Sequence, residues 1–167
     1  MGERLTKSDV EKIQKEIEYR KVTLRQELLV DVKDARAHGD LSENFEYKAA
    51  KKAKNQNESR IRYLERMLKN AQIIEDDSKD DEVGMNNQVT VFFEEDEEEE
   101  IFKIVTSVRG DSLHNYISIE SPLGKALIKH KVGDRVEVKV NDSYSYFVKI
   151  MKIENNKDDS EDRIRSY

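Results

Sequence analysis

At 167 residues, 40% of them charged and 36% hydrophobic, the chain is long enough for one or two small domains and too polar for one globule with a large core. With no cysteine and no apolar run near about 18 residues, it offers no disulfide, thiolate metal site, cysteine nucleophile or membrane-spanning helix. The net charge of −6 hides an asymmetry: residues 1–74 carry 17 Lys+Arg against 13 Asp+Glu and the remainder 13 against 23, which fits a basic arm that meets a phosphate-rich partner while the acidic remainder is repelled from it.

The N-terminal MGERLTKSDVEKI lacks the apolar core of a signal peptide, so a soluble cytoplasmic protein with no membrane association is expected. From Ser8 to about Ala37 there is neither Gly nor Pro. Val10, Ile13, Ile17, Leu24, Leu28, Val32 and Ala35 recur at spacings that mark one helical face. Thr6 or Ser8 caps the start, and Gly39 ends the segment as a C′ residue would. A second helix is expected from about Leu41 to Ala71, with a heptad seam through Tyr47, Ala50, Lys54, Asn57, Ile61, Leu64, Leu68 and Ala71. Two such helices with almost no loop between them must lie antiparallel, each roughly 45 Å long. The seam is apolar near the base, where Val10, Ile13 and Ile17 face Ile61, Leu64 and Leu68, and polar or small near the tip.

These elements define a coiled-coil hairpin domain over 1–75. Residues 76–87 read as an acidic linker. From Gln88 the apolar period changes to two: VTVFF, IFKIVTSV, YISIE, VEVKV and YSYFVKIMKI are strand-like, EEDEEEE at 94–100 reads as a hairpin loop, and SPLGKALI as a short helix after a proline. The fold class is therefore α+β, a long antiparallel helical hairpin followed over 88–154 by an antiparallel sheet with a short helix. The remaining 155–167 is polar and is expected to be disordered.

The turn between the helices, HGDLSENFEY at 38–47, carries Asp40, Glu43 and Glu46 at intervals of three. Spacing alone supports a structural reading. Asp40 is a good N-cap, Glu43 completes a capping-box-like pair, and acids suit the positive end of a helix. A second reading starts from electrostatics, because three carboxylates clustered at the far end of a rod repel one another. Mg²⁺ in phosphoryl chemistry commonly takes one or two protein carboxylates, the rest of its shell being substrate and water. Two acids would be a poor Mg²⁺ site alone but could complete one held by another protein. The bases Arg36, Lys48, Lys51, Lys52 and Lys54 form a collar beside them that suits a phosphate backbone.

The segment DARAHGDLSENFEYKAAKKAKNQNESRIRYLERMLKNAQII resembles the tip and second helix of the bacterial GreA/GreB transcript-cleavage factors, and YISIESPLGKALIKHKVGDRVEVKV resembles their FKBP-like C-terminal domain. The resemblance spans about residues 5–154, and the moderately basic collar is more similar to GreA. It implies a protein that binds bacterial RNA polymerase through its C-terminal domain, enters the secondary channel with the hairpin, and stimulates cleavage of backtracked RNA by the polymerase itself. By motif match, Asp40 and Glu43 would help hold a Mg²⁺ shared with the polymerase active site and the attacking water, with no metal or other cofactor bound by the chain alone. Arg36 and Lys51, with Lys48 and Lys52, would lie near the 3′ end of the nascent RNA. Asn44, Glu46 and Tyr47 would support the tip, and Ser121, Pro122, Gly124 and Leu127 fall in the polymerase-facing region. A monomer is expected, acting as an activator and not as an enzyme.

The chain departs from that pattern at Phe45, where many relatives have a small residue, and in its acidic 94–100 segment and long tail. Rival readings are a channel-binding homologue that inhibits, an FKBP-like folding helper with a coiled-coil arm, and a plain coiled-coil interaction protein. The histidines, His38, His114 and His130, are too dispersed for a metal cluster, and neither a Gly-rich phosphate loop nor a Ser-His-Asp arrangement is present.

Overall fold

The computed structural model describes residues 2–39, 44–156 and 158–166. The chain forms two compact units, one built on Val10–Ala71 and the other on Glu3–Asp9 together with Gln72–Tyr167. Glu3–Asp9 thus belong with the C-terminal unit, a division that the pattern reading of 1–75 as one domain does not contain.

In the first unit, α1 (Lys7–Tyr19), a π-helical turn (Arg20–Leu24) and α2 (Arg25–Arg36) run one way, and α3 (Phe45–Asn70) returns. At 26 residues α3 is about 39 Å long. A reciprocal capping box starts α1: Thr6 Oγ1 accepts from the Asp9 N–H at 3.2 Å, and the Asp9 carboxylate accepts from the Thr6 N–H at 3.0 Å. The first helix was expected to be uninterrupted, but five residues wind more widely. The N–H of Arg25 reaches back to the Arg20 carbonyl, five residues earlier. Asn57 of α3 stabilises this turn from across the hairpin, donating to the same carbonyl at 3.1 Å and accepting from Arg20 Nη1 at 3.0 Å. A five-residue π segment is too short to leave its own periodicity in the sequence.

The hairpin seam has the gradient its pattern implies. Ile13, Ile61, Leu64 and Met67 are buried toward the base, with Met67 and not Leu68 as the more deeply placed residue. The middle is polar. Glu16 accepts from Arg20 Nε at 2.8 Å and Arg60 Nε at 2.9 Å, and Arg25 makes a two-pronged bond to Glu58 at 2.9 and 3.0 Å. Burial disfavours the charged form of Glu16, but the hydrogen bonds and charges of Arg60 and Arg20 outweigh it and hold its carboxyl below the ordinary glutamate value. A lowered folded value means that this contribution is present above the unfolded pKa and is lost as pH falls through the folded one. We expect the melting temperature of the protein to fall less steeply below about pH 4.3 in Glu16→Gln than in the parent, as followed by helical circular dichroism.

In the second unit, five strands form one sheet: β3 (Gln88–Phe93), β4 (Glu98–Val105), β5 (Tyr116–Ser118), β6 (Arg135–Lys139) and β7 (Ser145–Glu154), in the order β5-β4-β3-β7-β6. All neighbours are antiparallel except the parallel pair β4–β5, so the sheet is mixed. A separate two-residue parallel pair joins β1 (Arg4–Leu5) to β2 (Gln72–Ile73). The period-two pattern is realised directly: Val89 and Val91, Val136 and Val138, and Val148 and Ile150 point to one buried face. The short helix α4 (Pro122–Leu127) contributes Leu123 and Leu127 to the same core.

Three segments differ from expectation. The loop after β3 spans only 94–97, because Glu98, Glu99 and Glu100 enter β4 opposite Phe93, Phe92 and Val91. There β5 no longer pairs with β4, and the exposed glutamates charge an open sheet edge, which disfavours pairing with another chain. Residues 76–87 are not a free linker: Val83 and Met85 lie in the core, and Asp76 accepts from the Met85 N–H at 3.1 Å. The segment 155–167 was expected to be disordered, but its described residues are packed through Asp162, which is buried against Lys103 and Arg109, and through Arg165, which bonds Glu3 and the Val108 carbonyl. Its composition is polar because its partners are charged.

Candidate functional site

The tip of the hairpin is organised by Asn44. Its Oδ1 accepts from the Tyr47 N–H at 2.9 Å, which makes it the N-cap of α3, and its Nδ2 donates to the Ala35 carbonyl near the end of α2 at 2.7 Å. One side chain therefore starts the returning helix and ties it to the departing one. The departing helix closes with the His38 N–H on the Ala35 carbonyl and Gly39 at φ 121°, a conformation that suits glycine. The N-cap expected at Asp40 is thus four residues too early, and α3 begins at Phe45. Asp40 and Glu43 themselves lie outside the described residues; with Leu41 and Ser42 they make up the segment between Gly39 and Asn44.

Two separate groups of side chains flank that segment. On one, Arg36 lies over the Tyr47 ring, 5.5 Å from its centroid, and reaches the hydroxyl at 3.5 Å. The bond from Arg36, aided by the charges of Arg36, Lys51 and Lys54, lowers the Tyr47 hydroxyl below the ordinary phenol value. On the other, Lys48 lies 5.7 Å from the centroid of the Phe45 ring, and Lys52 follows one turn later. The collar is therefore distributed over two rings: Lys51 and Lys54 add their charge to that of Arg36 at Tyr47, while Lys48 sits with Phe45. Glu46 pairs with His38 at 3.3 Å, both exposed. Nothing in the pattern of acids and bases marked Asn44 as the link between the helices; the available signal was an Asn three residues before Tyr47, the spacing of an N-cap to its donor.

The residues expected in the polymerase-facing region have different exposures. Ser121 caps α4, accepting from the Gly124 N–H at 3.1 Å and donating to the Ser118 carbonyl at 2.6 Å. Pro122 is exposed at the first helical position. Gly124 and Leu127 are buried, and a Cβ at Gly124 would stand 2.0 Å from the Ser118 carbonyl oxygen. Gly124 and Leu127 therefore shape this surface from beneath and present little of themselves to a partner. Among the described residues no group of three or more His, Asp or Glu is placed to hold a metal, and no helix is long and apolar enough to cross a membrane.

A family model described as transcription elongation factor, N-terminal, of the GreA/GreB type, matches residues 3–73, and one described as transcription elongation factor, GreA/GreB, C-terminal, matches residues 78–155. The transcription elongation factor GreA of Caldanaerobacter subterraneus is 47% identical over 137 residues, covering 81% of this chain and 87% of that protein. The chain belongs to the GreA/GreB family. Another GreA relative, from Clostridium acetobutylicum, is 44% identical over 150 residues, covering 89% of this chain and 94% of its own. Among solved structures, GreA factor homolog 1 of Thermus thermophilus matches with a TM-score of 0.43 and 25% identity over 93% of this chain and all of that one. Membership in the GreA/GreB family is carried by the sequence matches, which cover the hairpin and the sheet unit separately.

Proposed function

We propose that this Gre-type elongation factor is a cytoplasmic monomer that binds bacterial RNA polymerase, brings its hairpin tip to the active centre through the secondary channel, and stimulates hydrolysis of backtracked RNA. The observation that carries the reading is the Asn44 clamp. It ties Ala35 to the start of α3, so the four residues that contain Asp40 and Glu43 connect two fixed helix ends. Because Asn44 supplies the cap, neither acid is required to start α3, which weakens the purely structural account of both.

Two carboxylates are suitable hard donors for Mg²⁺ but are too few to enclose it, so the ion would be shared with the polymerase. Such an ion supplies charge stabilisation and an activated water. The chain's own part is to present the two carboxylates, with Arg36 and Lys51 on one side and Lys48 and Lys52 on the other facing the RNA phosphates. On this reading the chain is not itself an enzyme, since the scissile bond is cut in the polymerase.

The test uses stalled, backtracked transcription complexes with 5′-labelled RNA and Mg²⁺. Added protein is expected to shorten the transcripts and restore elongation. Unshortened RNA with slowed elongation would instead identify an inhibitory homologue, and peptide isomerisation without polymerase would identify a folding helper.

A further inference from the structure

Among the described residues little packs against Phe45. It is the first residue of α3 and is 81% exposed, more than any other aromatic residue among those described. A residue at the start of a helix needs no aromatic ring, and Ala has the higher helix propensity there. The ring leaves its apolar area in water, which is unfavourable in proportion to that area. Among the described residues the Lys48 ammonium stands beside it, 5.7 Å from the ring centroid. With that cation on one side and solvent over most of the remainder, a flat apolar surface stands free two residues after Glu43.

We propose that Phe45 is a base-stacking platform for the 3′-terminal nucleotide of the RNA, with Lys48 and Lys52 taking the adjoining phosphates. This rests on the reading that the tip meets backtracked RNA. Single-stranded RNA is held by a recurring combination: an aromatic ring on which a base stacks, and cations that follow the backbone. Phe45, Lys48 and Lys52 supply both along one helix face, at spacings of three and four. The group is distinct from Arg36, Tyr47 and Lys51, where Arg36 already lies over the Tyr47 ring. Both groups offer charge, and the Phe45 side adds an exposed surface for a base. A ring that reads bases by stacking favours large ones, so purine 3′ ends are the preferred substrates.

The experiment compares the parent with Phe45→Ala and Phe45→Trp at sub-saturating protein, on backtracked complexes whose RNA ends in adenosine, uridine or an abasic residue. For the parent, cleavage is expected to be faster with adenosine than with uridine and slowest at the abasic end. Phe45→Ala should lower cleavage of the adenosine-ended RNA about tenfold, within the range that loss of one base–aromatic stack produces, and should level the three substrates. Phe45→Trp should retain the order. Because the side chain is exposed, Phe45→Ala should melt at the parental temperature.

Phe45→Ala cutting like the parent would overturn the proposal while leaving the Gre-type reading intact. So would an equal loss on all three RNAs, which would assign Phe45 to a protein contact on the polymerase, or a lowered melting temperature, which would assign it to packing. A parent protein that cuts none of them would sink the functional reading and the stacking proposal together.

Discussion

Replacing Asp40 with Asn, or Glu43 with Gln, is expected to lower cleavage of backtracked RNA about a hundredfold or more, the scale on which removing one preorganised electrostatic group acts. Each substitution keeps the size and polarity of the side chain and removes the negative charge that would draw Mg²⁺. Stability should hardly change, because α3 takes its cap from Asn44 and begins at Phe45, beyond both positions. The measurement is the shortening rate of labelled RNA at saturating protein, alongside competition with the parent for polymerase. Normal competition with lost cleavage places the effect in chemistry. Cleavage at the parental rate in Asp40→Asn would show that its charge is not used.

How much of this was legible beforehand depended on the length scale of each signal. The two long helices and the alternating Val and Ile pairs of β3, β6 and β7 were visible because periodicity accumulates over many residues. The boundary of α3 was not. Asp40, Asn44 and Ser42 are all competent caps, and what selects Asn44 is its amide bonded to the Ala35 carbonyl, a contact that exists only once the hairpin has formed. Likewise EEDEEEE has the composition of a loop, yet Glu98–Glu100 take strand conformation because Val91, Phe92 and Phe93 on β3 offer them a ladder. The clustering of the tip acids raised them as donors to a shared Mg²⁺, and the resemblance singled out Asp40 and Glu43. The division of the collar into a Tyr47 side and a Phe45 side needed side-chain positions, since Lys48, Lys51 and Lys52 are close enough in sequence to pass for one face.

The C-terminal tail shows a different kind of blindness, because hydropathy treats a charged segment as solvated whatever it pairs with. Asp162 accepts from Lys103 Nζ at 2.8 and 3.0 Å and from Arg109 Nη1 at 2.7 Å, and all three residues are buried. Arg109 is further held by Asp9 at 2.6 Å and Asn86 at 2.7 Å, while Thr106 donates to Asp9. Two cations thus face two carboxylates, one from each end of the chain. Desolvation makes such a cluster no more stabilising than a well-packed apolar substitute, but removing one member leaves a charge uncompensated in the interior. Asp162→Ala is therefore expected to cost about 3–5 kcal/mol and to lower the melting temperature by more than about 10 °C. Truncation after Glu154 should have an effect at least as large. Adding Lys103→Met to Asp162→Ala restores the charge balance and should recover part of the loss, a coupling that a double-mutant cycle reads directly. High salt should leave the loss largely intact, since buried charges are screened far less than an exposed pair such as Arg135 and Glu94. If Asp162→Ala melts with the parent, Lys103 and Arg109 are compensated without the tail, and the polar segment is an appendage after all.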